Sequence, residues 1–146
     1  MTTTLTQNIT LSVSGLIATG IGLTILTAPA AFFSTNGIEL GADPNLMSEI
    51  RAPGGALLTM GLFMLSGLMR PNLARMSLWI GAGVFLSYGL SRCLAFAVDG
   101  RPGNGLVLAA GLEILIGALC LFVLFPRKPG RKARNLPNIP QHRFPM

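Results

Sequence analysis

Four long apolar runs dominate the chain, and polar residues fall almost entirely between them. The first lies within Ile9 to Phe33 and carries no charge. The second is Ala52 to Met69, bracketed by Arg51 and Arg70. The third is Met76 to Val98, interrupted by Arg92, and the fourth is Gly105 to Phe125, interrupted by Glu113. None alternates polar and apolar residues with period two, which argues against strands. A helix crosses a hydrocarbon core of about 30 Å with about 20 residues. Three runs meet that length, and the second, with 18 residues, is near its lower limit. The pattern predicts an all-α integral membrane protein, a four-transmembrane-helix bundle with spans at about 9–31, 52–69, 76–98 and 105–125.

The leader "MTTTLTQN" has no positive charge and the first run is too long for a signal h-region, so the first run reads as a permanent span. That span is expected to end near Pro29. The link after it, "AAFFSTNGIELGADPNLMSE", is long, and Phe32, Phe33, Ile38 and Leu40 are expected to rest it on the outer membrane surface. Asp43-Pro44 has the form of a helix N-cap followed by Pro at the first helical position. The second membrane helix is therefore expected to begin outside the bilayer and to be kinked or restarted at Pro53.

Composition supports the membrane assignment. Of 146 residues, 51% are hydrophobic and 11% charged, with a mean hydropathy of +0.61. A soluble domain carries about 25% charged residues. Charge also sets the expected orientation. Arg70 and Arg75 lie between spans two and three, and Arg127, Lys128, Arg131, Lys132, Arg134 and Arg143 lie in the tail. Both basic segments fall on one side if there are four spans, which places both termini in the cytoplasm. Residues 1–126 form the expected transmembrane domain, and residues 127–146 a basic, Pro-rich cytoplasmic tail without regular structure. The net charge of +6 comes mostly from that tail. Its position directly after a span, with almost no interleaved aromatics, argues against nucleic-acid binding. Contact of Arg127, Lys128, Arg131, Lys132 and Arg134 with anionic phospholipid is expected instead. Cys93 and Cys120 should lie at different depths, which argues against a disulfide. His142 stands alone in the tail, and no cofactor or metal ligand set is expected.

Small residues recur inside the spans. Ser14, Ala18 and Gly22 repeat every four positions in span one. Gly54, Gly61 and Gly67 mark span two, and Gly81 and Gly83 mark span three. Ala110, Glu113, Gly117 and Cys120 form one stripe on span four. Small residues let helices approach closely in lipid. Gly54, Gly55, Gly61 and Gly117 are the expected packing positions, with a subunit contact as the alternative use of the stripes.

Two ionisable residues remain inside the spans. Arg92 lies about 9 Å below the outer end of span three, and Glu113 about 12 Å below the same surface in span four. The depths nearly match, in antiparallel neighbours joined by a short link, so an ion pair is expected. Asp99 follows Arg92 by seven positions, and Tyr88 precedes it by four and can bring a hydroxyl. Glu49 and Arg51 arrive at the outer end of span two. The expected polar cluster is Glu49, Arg51, Tyr88, Arg92, Asp99 and Glu113, with intramembrane polarity confined to the outer half. Intramembrane charges are costly and mark functional sites by default. A pair that only fixes helix register carries equal weight here.

At these residues the chain resembles a bacterial inner-membrane family of four-span proteins with a domain of unknown function, near the DoxX-like superfamily. The resemblance runs from Leu11 to about Phe125 and is carried by "SEIRAPGG", "SRCLAFAVDGRP" and the glutamate in "GLEILIGAL". It implies a four-helix bundle and assigns weight to Arg51, Gly54, Gly55, Arg92, Asp99, Gly100 and Glu113. Pro53 departs from the family pattern, which has a non-proline residue there.

The expected function is a non-catalytic accessory protein, or one that binds a lipid- or quinone-like molecule at the outer polar cluster. A larger membrane complex or a second copy is the expected protein partner. One alternative is a membrane enzyme acting on an apolar substrate through Glu113 and Arg92, although a close Arg92 would hold Glu113 ionised. The other is a small proton-coupled transporter, for which no polar path to the cytoplasm is evident. No residue is assigned as catalytic.

Overall fold

The computed structural model describes residues 4–125. Their regular structure is all helical: α1 (Leu5–Thr27), α2 (Pro29–Ser34), α3 (Pro44–Met69), α4 (Pro71–Val98) and α5 (Asn104–Leu124). α1, α3, α4 and α5 are each long and apolar enough to cross a membrane. The basic tail, with Arg127, Lys128, Arg131, Lys132, Arg134 and His142, lies outside the described residues.

The helix boundaries follow local chemistry. Thr4 and Gln7 form a reciprocal capping box at the start of α1. α1 ends at Thr27, short of the expected 31, and the short α2 begins anew at Pro29. Asp43 caps α3 by accepting from Asn45 N at 2.9 Å, with Pro44 at the first helical position. α3 therefore starts eight positions before the apolar run, in keeping with a helix that begins outside the bilayer. It continues unbroken through Pro53, so the expected restart does not occur. The proline still removes the bond that the Glu49 carbonyl would have accepted. Arg70 alone separates α3 from α4, so the span-three helix begins at Pro71, ahead of the expected 76.

Neighbouring helices run antiparallel. Gly22 of α1 lies against Leu58 of α3, and Gly15 against Leu65. Gly67 of α3 lies against Ser77 of α4. Gly89 of α4 lies against Ile114 of α5, and Gly117 against Leu86. The bundle is thus two intimate pairs, α1/α3 and α4/α5, joined through α3 and α4, with lighter contact from α1 to α4 and α5. The end where α1 and α4 finish and α3 and α5 begin is called distal below. The other end, which holds Thr4 and Phe125, is proximal.

The packed core sits proximally and centrally. It comprises Leu11, Ala18, Leu57, Met64, Ala74, Leu78, Ala82, Phe85, Cys120, Val123 and Leu124, with Tyr88 packed on its upper edge. Beyond Gly89, α4 buries no residue, and α5 buries none before Ala110. The outward faces are apolar: Leu16, Leu94, Leu108 and Phe122 keep between 62% and 66% exposure. Faces of this kind suit contact with acyl chains.

Polarity is not confined to the distal half, contrary to expectation. Ser14 and Ser77 are fully buried in the proximal half, and Ser14 sits beside the buried Cys120 thiol. Ser14 Oγ donates to its own helix at Thr10 O, whereas Ser77 Oγ donates across to Phe63 O of α3 at 3.1 Å. Cys93 and Cys120 are both free, the first exposed and the second buried.

Candidate functional site

The site is built on α4 and α5 where the packed core stops. Arg92 lies one turn beyond Tyr88 on α4, and Glu113 projects from the facing stretch of α5. Gly89 and Gly117 set this pairing: a Cβ at Gly89 would stand 2.6 Å from Ile114 Cγ1, and one at Gly117 2.6 Å from Leu86 Cγ. These glycines accommodate side chains of the opposite helix.

Arg92 Nε donates to both carboxylate oxygens of Glu113, at 3.1 Å to Oε1 and 2.9 Å to Oε2. Among the described residues it is the one ion pair within 4.0 Å. The arginine side chain keeps 32% exposure and the glutamate 17%. The pair is therefore half-open, at the edge of the core. Glu113 occupies the Nε edge of the guanidinium. Neither Nη group has a hydrogen-bond partner among the described residues. Tyr88 is half-buried and near enough to feel the charges of both Glu113 and Arg92.

The other members of the expected cluster go elsewhere. Arg51 Nη1 donates to the Leu26 carbonyl, in the last turn of α1. That carbonyl is one of those a helix end leaves without an intrahelical partner, and a cation is favoured there by the helix dipole. Arg51 thus clamps α3 to α1. Glu49 is exposed on the early turns of α3, ahead of its buried face, and makes no ion pair within 4.0 Å among the described residues. Asp99 stands at the C-cap of α4, where its backbone N–H bonds Ala95 O, and it too forms no ion pair among the described residues. The seven-residue spacing puts Asp99 on the face of Arg92 but about 10 Å along the axis, too far to join the pair.

Of the expected packing glycines, Gly54, Gly61 and Gly117 are tightly enclosed. A Cβ at Gly54 would meet Ile25 Cγ2 at 2.6 Å, and one at Gly61 would meet Thr19 N at 2.5 Å. Gly55 is not enclosed: its nearest neighbour would be Leu26 Cδ2 at 3.8 Å, an ordinary contact. Gly81 is enclosed by Met64 and Cys120, whereas Gly83 faces open space. Three features escaped the sequence reading: the Arg51 clamp, the Ser77 bond to α3, and the approach of the link to α5. In the last, Asn36 Oδ1 lies where a Cβ at Gly105 would be, 2.5 Å away. Asn36 follows α2, so the long link folds back over the distal end of the bundle.

No group of three or more His, Cys, Asp or Glu side chains that could hold a metal occurs among the described residues. The family model for DUF4345, a domain of unknown function, matches residues 6–124. No curated protein and no solved structure matches the chain.

Proposed function

The chain belongs to the DUF4345 family, and from that premise we propose that it is an accessory membrane protein that binds a lipid- or quinone-like amphiphile at Arg92, Glu113 and Tyr88. One observation carries this reading: the Arg92 guanidinium is anchored through Nε alone, which leaves both Nη groups without a protein partner at a half-open position. Unpaired donors in hydrocarbon are costly. An amphiphile head group seated there would satisfy them, while its tails lie along the apolar faces of the bundle. Glu113 fixes the guanidinium and offsets its charge.

The remaining parts of the reading concern setting. The distal end faces outward, and both termini lie in the cytoplasm of a bacterium whose inner membrane holds the protein. Arg70 and Arg75 at the proximal end support this, together with the tail cations. The tail touches anionic phospholipid, and the apolar outer faces suit docking on a larger membrane complex or a second copy. Kinship with the DoxX-like superfamily is part of the same proposal. An enzymatic role is the weaker reading, since both Glu113 oxygens already accept from Arg92.

The test is native mass spectrometry of the full chain purified in mild detergent from its own membrane. The wild type should carry a small amphiphile that Arg92→Met lacks. A protein that always emerges alone and lipid-free would overturn the reading.

A further inference from the structure

We infer that the Arg92 site selects an uncharged head group that presents a carbonyl oxygen, and discriminates against anionic lipid. The inference rests on the binding reading above and adds the chemical class. A guanidinium offers five N–H donors and no acceptor. Glu113 takes the donor on Nε, and four on the two Nη groups remain. Tyr88 brings a further hydroxyl beside the pair. The unfilled capacity is thus for an acceptor oxygen.

Charge decides what kind of oxygen. Arg92 and Glu113 together are neutral, so a carboxylate or phosphate on the Nη edge would make the site net negative within the low-dielectric part of the chain. The surroundings add to that penalty. All five carboxylates of the chain, Glu39, Asp43, Glu49, Asp99 and Glu113, lie in the distal half or its links. Among the described residues only three cations, Arg51, Arg92 and Arg101, share that half, which gives those residues a net charge of −2. Arg51 is already committed to the Leu26 carbonyl, and Arg101 bonds Asn104 Oδ1 at 3.4 Å. An uncharged carbonyl accepts from the same donors without that repulsion. Ester and quinone carbonyls share this chemistry.

The experiment uses the full chain in phosphatidylcholine nanodiscs doped with one probe at a time. The probes are dioleoylglycerol, dioleoylphosphatidylglycerol (the same diester with a phosphate anion) and decylubiquinone. The readout is the retention that wild type shows above Arg92→Met/Glu113→Leu, which removes both charges and leaves the tail in place. Wild type should retain dioleoylglycerol or decylubiquinone at least tenfold over dioleoylphosphatidylglycerol, and whichever is held identifies an ester or a ring carbonyl. Glu113→Gln, which leaves the site net positive, should reverse the preference toward dioleoylphosphatidylglycerol. Equal or better retention of dioleoylphosphatidylglycerol by wild type would overturn the charge class while leaving binding intact. Equal retention of every probe by wild type and the double variant would overturn the binding reading itself.

Discussion

The two helix pairs of this bundle use the same residue type against different neighbours. In α1/α3, Gly22 and Gly61 face backbone: a Cβ at Gly22 would stand 2.7 Å from Gly54 O and 2.8 Å from Leu58 Cα, and one at Gly61 would stand 2.5 Å from Thr19 N, whereas Gly15 and Gly54 face the side chains of Leu65 and Ile25. In α4/α5 the nearest neighbours of Gly89 and Gly117 are side-chain carbons of Ile114 and Leu86. Each pair also carries one distal arginine, used differently. Arg51 reaches a main-chain carbonyl of α1, whereas Arg92 reaches a carboxylate on α5. In α4/α5, where Gly89 and Gly117 receive side chains of the opposite helix, the charged site lies just distal to Gly89.

Adding one methyl group is the strongest way to break this comparison. Gly22→Ala and Gly61→Ala press a Cβ into backbone that cannot move alone, and each should cost about 3 kcal/mol or more. Gly117→Ala presses against Leu86, which has other rotamers, and should cost about 1 kcal/mol. Gly83→Ala, with nothing within 4 Å of its Cβ, should be neutral or slightly stabilising. Unfolding in mixed detergent micelles measures all four. Equal losses at Gly22 and Gly117 would erase the distinction between the pairs.

Charge gives the next effect. Glu113→Gln leaves Arg92 without its anion in an apolar setting, at a cost of about 2 kcal/mol, moderated by the partial exposure of the pair. Arg92→Met/Glu113→Leu should recover most of that stability by removing both charges. Recovery of stability without recovery of a bound amphiphile separates a lock from a site. A double variant as unstable as the single one would mean that the pair holds α4 to α5 by itself.

How much of this was legible in the sequence follows from link length. "DGRPGNG" is short, so it fixes the register of spans three and four, and helical rise alone brings Arg92 and Glu113 to similar depths. The link between spans one and two is long and contains α2, so the register of α1 against α3 is set by packing and is invisible in the chain. That is why Arg51 was expected beside Arg92 rather than on Leu26 O. Gly54 and Gly55 differ by one position, about 100° around a helix, and sequence does not say which of them faces α1. Ser14 and Ser77 look neutral in an apolar run, because a serine can bond its own helix, as Ser14 does.

Removing the Arg51 clamp tests the α1/α3 pair at its distal end. Arg51→Ala frees the Leu26 carbonyl and should cost about 0.5–1 kcal/mol, since the site is exposed and close packing below it persists. Hydrogen exchange should rise in the last turn of α1 and the first turns of α3, with α4 and α5 unchanged. A matching rise around Arg92 would show that the two arginines act as one cluster after all.

The smallest effect lies where the two pairs meet. Ser77 Oγ donates to Phe63 O, so it ties α4 to α3 rather than to its own partner α5. Hydrogen bonds between membrane helices contribute about 0.6 kcal/mol on average. Ser77→Ala should cost about that much, because the alanine fills nearly the same space against Gly67, whose own Cβ would stand 2.7 Å from Ser77 Oγ. Ser77→Val enlarges the side chain at that contact and should cost about 2 kcal/mol by overpacking. A loss on Ser77→Ala as large as that on Ser77→Val would locate the bond between the pairs in the hydroxyl. The expected ordering, with alanine mild and valine severe, locates it in the close approach of α3 and α4 at Gly67.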